Sequence, residues 1–154
     1  MEKNNILLSV LIMYTLVYCQ NRAKNEVYFE SKKIYKQAIE IHDEVMPLMG
    51  KIMELQSTLK ARKETISDDK SIEKINIELQ KLENAHNSMM LWMRNITPIP
   101  EISENESDFS THPSAEEMLE IQQKSLDNIT KVKEAILSSI ENANALILEL
   151  ETKN

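Results

Sequence analysis

The chain has 154 residues, a formal net charge of −7, 42% hydrophobic and 28% charged residues, which suits one folded domain at most and argues against disorder throughout. One glycine, two phenylalanines and a single cysteine leave little for hairpin turns or a β-core, no glycine-rich phosphate loop and no disulfide framework. The acidic balance also disfavours nucleic acid as a partner, because phosphate contacts need a basic patch.

The N-terminus reads as a targeting segment: "MEKNN" carries a lysine, and the apolar run "ILLSVLIMYTLVY" follows over residues 6–18. That run falls short of the roughly 20 apolar residues a spanning helix needs, and fits the hydrophobic region of a signal peptide. Cys19 stands directly after it. The stretch "LVYC" resembles the lipobox of bacterial lipoproteins: Leu16 and Val17 fit the pattern, and Tyr18 stands where a small residue usually precedes the cysteine. The resemblance implies a signal peptide over 1–18, cleavage before Cys19 and acylation of its sulfur. It places the protein in the bacterial cell envelope, held on a membrane through its N-terminal lipid and facing the periplasm. A lipidated Cys19 leaves no free thiol, and the polar stretch after it predicts a tether over 19–26.

From residue 27 to 154 the pattern is that of a helical bundle domain. Ile34, Ala38, Ile41, Val45, Leu48, Ile52, Leu55 and Leu59 alternate spacings of four and three, and Tyr35, Ile39, His42, Met46, Met49 and Met53 form a second stripe beside them. Two adjacent stripes call for two partner helices. Pro47 falls inside the pattern, where it removes the hydrogen bond to the Asp43 carbonyl and predicts a kink. A turn is expected near residues 63–68, with Ser67, Asp68 or Asp69 as cap of the next helix.

The second helix carries a seam of Ile72, Ile75, Leu79, Leu82, His86, Met89, Met93 and Ile96. Pro98 and Pro100 stop it, and residues 97–113 read as an acidic loop without apolar period. Ser114 with Glu117 three residues on forms a capping box for a third helix, whose buried side is expected at Leu126, Ile129, Val132, Ile136, Ile140, Ala143, Ile147 and Leu150. The predicted fold is all-α: a long antiparallel three-helix bundle, up-down-up, with the first helix kinked at Pro47.

Three stretches, "IHDEVMPLMGKI", "AHNSMMLWM" and "KVKEAILSSIENA", resemble motifs of a family of small bacterial lipoproteins often labelled "viral A-type inclusion protein". That label is a coiled-coil similarity name without a viral role. With the lipobox, the resemblance spans most of the chain and implies export and helices. The family carries no established activity, and a histidine at the position of His86 is not part of its pattern.

A hairpin reversing near residue 65 or 66 sets residue 42 opposite residue 89, so His42, Met46, His86 and Met89 are expected to share one layer. Two imidazoles and two thioethers suit Cu(I), and bundles build metal sites between helices. The competing reading is a packed core, because methionine fills the irregular gaps a kinked helix leaves. That reading is preferred, with no cofactor and copper as the alternative. A di-iron carboxylate site lacks its second E-x-x-H, and no H-E-x-x-H or G-x-S-x-G occurs, so an enzyme is not expected. Asp43 and Glu44 follow His42 but are expected to point away from it into solvent. The sequence therefore predicts a lipid-anchored, non-enzymatic interaction or structural module. Its partners are the membrane, through the lipid, and a protein or a second copy of the chain.

Overall fold

The structure, a computed structural model, describes residues 25–100 and 113–152. The signal peptide 1–18, Cys19, most of the tether and the acidic segment 101–112 lie outside the described residues. Among those described, every regular element is helical, and the fold is an all-α bundle of three helical stretches packed on one another. The first stretch comprises α1 (25–45), a 3-10 turn at Met46–Leu48 and α2 (Met49–Thr65). The second is α3 (Asp69–Asn95), and the third is α4 (Ala115–Thr152). Residues 25 and 26, assigned to the tether from sequence, are already helical.

The ends of these helices follow from their side chains. The Asp68 carboxylate accepts from the Ser71 backbone N–H at 3.0 Å, so Asp68 is the N-cap of α3. The Ser71 hydroxyl donates to the same oxygen at 2.6 Å. At the start of α4 the capping box closes both ways: the Ser114 N–H donates to Glu117 Oε2 at 2.8 Å, and the Glu117 N–H donates to Ser114 Oγ at 3.1 Å. Pro47 takes an early position in the 3-10 turn, where it has no backbone N–H to donate to the preceding turn of helix, and the Met49 N–H donates to the Met46 carbonyl. The kink expected at Pro47 is thus a short change of helix type.

The chain divides into two compact units, where the sequence suggested one domain. Among the described residues, the larger comprises 37–96 and 125–152, and the smaller 25–36, 97–100 and 113–124. In the larger unit, Val45, Ile52, Leu59, Ile75, Leu82, Met89, Ile129 and Ile136 are fully buried in one apolar core. Up-down-up order shows there in the ion pairs between helices. Glu44 pairs with Lys133 at 2.6 Å and Arg62 with Glu151 at 2.8 Å, so α1 and α2 run parallel to α4. Each pair is separated by 89 positions, before and after the 3-10 turn alike. The turn at Pro47 therefore leaves the register with α4 intact. Lys74 pairs with Glu149 at 2.8 Å, and Trp92 meets Ser125, so α3 runs antiparallel to α4.

The buried side of α3 differs from expectation by one position. Ala85 and Trp92 are buried where His86 and Met93 were expected, and Met93 stays 36% exposed. Seating the indole in the core removes a large apolar area from water, while His86, half-buried, keeps its ring near solvent. In the smaller unit, Ser31, Ile34, Met118 and Gln122 are buried.

Candidate functional site

The first element of the site is a pair of rings. His42, near the end of α1, stacks on Trp92, near the end of α3, with centroids 5.5 Å apart and planes at 25°. The chain reverses at residues 66–68, slightly later than expected, and that delay moves the partner of residue 42 from 89 to 92. Trp92 is 7% exposed. Its indole N–H donates to the Ser125 backbone carbonyl at 3.0 Å and lies 3.1 Å from Ser125 Oγ, so the ring's polar atom is satisfied on α4 while its face meets α1.

His42 does not stand apart from its acidic neighbour. Its Nδ1 lies 2.9 Å from Asp43 Oδ1 at the surface, a contact the sequence reading did not foresee. Both side chains sit at the solvent boundary, where adjacent helical positions can turn toward each other. One imidazole nitrogen is thereby engaged by the carboxylate and one ring face by the indole.

The other expected ligands fall into different surroundings. Met89 is fully buried in the apolar core. Met46 is half-buried on the 3-10 turn and packs against that core, and His86 is half-buried beside Ala85 on α3. Trp92, rather than the second imidazole, is the partner the register gives to His42. Cys19, the expected lipidation site, lies outside the described residues. Among the described residues no group of three or more His, Cys, Asp or Glu side chains is placed to hold a metal ion.

A second polar constellation lies in the smaller unit. Gln122, fully buried on α4, donates from Nε2 to the Thr97 carbonyl at 2.9 Å and lies 3.3 Å from Met118 Sδ. Tyr28 on α1 donates its hydroxyl to the Pro100 carbonyl. Tyr28 also meets Phe29 edge-on, with centroids 6.3 Å apart, and Phe29 is 68% exposed. In the sequence these residues carry no metal-ligand or nucleophile pattern. The available signal was Gln122 itself, an amide at a spacing of four from Met118 on a side of the helix that is otherwise apolar.

The Glu120 carboxyl is held below the usual carboxylate range by a hydrogen bond from Lys124 and by that residue's charge. That pair is on the surface of α4. Compared with protein-family models, with curated proteins and with solved structures, the chain matches none.

Proposed function

We propose that this protein is an exported lipoprotein, anchored through acylated Cys19, whose helical bundle acts as a protein-interaction module without enzymatic chemistry of its own. The reading keeps the likeness to the small bacterial lipoproteins labelled "viral A-type inclusion protein". The observation that carries it is the division of apolar side chains. The core of the larger unit is filled by its own helices, yet Met53, Leu91 and Leu148 remain 54–63% exposed on α2, α3 and α4. These exposed side chains, one on each of three helices, are where a partner protein would make apolar contact. The lipid on Cys19 supplies the membrane attachment; no helix among the described residues is long and apolar enough to cross a bilayer. Packing is the reading kept for His42, because its ring stacks on the buried Trp92 and not against the second imidazole.

The experiment is site-specific photo-crosslinking in cells, with the reactive side chain placed at residue 53, 91 or 148 of the full chain. The reading expects discrete crosslinked products at one or more positions, lost when Cys19→Ser releases the protein from the membrane. Absence of products at all three positions in correctly localised protein would contradict it.

A further inference from the structure

We propose that Tyr28, Phe29 and Gln122 form a binding site for an extended, proline-containing peptide of a partner protein, occupied in this structure by the chain's own residues 97–100. The inference rests on the interaction-module reading and names the chemistry of its partner. The stretch "TPIP" is held extended by its own covalent structure: Pro98 and Pro100 fix φ near about −65°, and each disfavours helix at the residue before it. Ile96 enters the stretch at φ −63°, ψ 129°, in the polyproline II region.

In that conformation about three residues make one turn, so the carbonyls of residues i and i+3 lie along one edge, about 9 Å apart. Thr97 and Pro100 stand in that relation, and both carbonyls accept hydrogen bonds from helix side chains, one from Gln122 Nε2 on α4 and one from the Tyr28 hydroxyl on α1. Two donors on two helices therefore read a single edge of an extended chain. Such recognition depends on backbone conformation and makes no demand on the side chains between the two carbonyls.

Two further features indicate capacity beyond the residues now seated there. Gln122 is fully buried, yet its Oε1 has no hydrogen-bond donor among the described residues. The amide orientation is fixed, because the Thr97 carbonyl needs a donor, so Oε1 is the atom left over. Pro98 and Pro100, which have no N–H, cannot supply it, whereas a peptide with an N–H nearby could. The second feature is Phe29. Its exposed ring continues the aromatic surface of Tyr28 out to solvent, and aromatic rings flanking hydroxyl and amide donors are how proteins bind polyproline II segments.

The test uses the full chain in detergent and a fluorescein-labelled, end-blocked peptide, Ile-Thr-Pro-Ile-Pro-Glu, followed by fluorescence anisotropy. The bound internal segment competes with the probe, so the Pro98→Gly, Pro100→Gly variant is expected to bind it at least about tenfold more tightly than the parent protein. Adding Tyr28→Phe, which removes only the hydroxyl, is expected to weaken that binding about two- to tenfold, as loss of one hydrogen bond does. Adding Gln122→Leu should weaken it further. If the double glycine variant loses helicity by circular dichroism, Pro98→Ala takes its place, with a smaller gain expected. No binding by the folded variant, or binding that Tyr28→Phe and Gln122→Leu leave unchanged, overturns the inference. That outcome leaves the crosslinking result standing, because residues 53, 91 and 148 report on other surfaces.

Discussion

Trp92 is the residue on which the α1–α3 packing turns, because one face meets an imidazole while its N–H is satisfied on α4. Trp92→Phe keeps much of the apolar contact but removes the indole donor and leaves a gap. It is expected to lower unfolding free energy by about 1–3 kcal/mol, read from the urea midpoint with unchanged slope. His42→Gln should change the emission of Trp92, the sole tryptophan, with little change in helicity. The triple variant His42→Gln, Met46→Leu, Met89→Leu is expected to compete with a chelator for Cu(I) no differently from the parent. A one-to-one complex lost in that variant would restore the metal reading. Trp92's burial was not legible in the sequence, because two seams offset by one residue both offered apolar side chains: Met93 fits one and Trp92 the other. Only the length of the turn at 66–68 decides between them, and a shift of one or two residues there changes every partner along the hairpin.

At the scale of elements the sequence was more informative, since caps are local chemistry. Asp68, one of three candidate caps, and the Ser114–Glu117 box both form as their residue types require. Asp68→Ala and Ser114→Ala should each cost about 1 kcal/mol. Pro47 is less simple. A proline inside an α-helix costs about 3 kcal/mol, but here it sits in a 3-10 turn with its ring exposed to solvent, so replacing it forfeits no core contact. Pro47→Ala is expected to raise stability by about 1–2 kcal/mol, because the regained helical bond outweighs the added freedom of the unfolded chain. A loss of stability would mean that the 3-10 turn is needed to seat Met49, which is buried immediately after it. The polar contacts of Tyr28 and Gln122 were not legible, because they join residues 72 and 25 positions distant to backbone carbonyls, which leave no pattern in the sequence. Acid acts only weakly through the Glu120–Lys124 pair. Its stabilising effect is present near neutral pH, is lost as pH falls through the lowered carboxyl pKa, and is screened by solvent.

Within the larger unit the short connection at 66–68 makes α2 and α3 antiparallel, whereas the direction of α4, after the long segment that follows α3, shows in its ion pairs with α1, α2 and α3. The ion pairs Glu44–Lys133 and Arg62–Glu151 stand about five helical turns apart at a common offset of 89 positions, so the larger unit keeps one register through the Pro47 turn. Ile136, fully buried at the centre of that unit, should cost about 2–5 kcal/mol when replaced by alanine, seen as a lowered thermal midpoint. Attachment to the membrane is the claim on which the functional reading depends, and Cys19 carries it. The most direct measurement is the intact mass of the protein extracted by detergent from bacterial membranes. The account predicts a chain that begins at Cys19, without residues 1–18, and carries the added mass of a diacylglyceryl group. A full-length chain, or a chain starting at Cys19 without lipid, would contradict it.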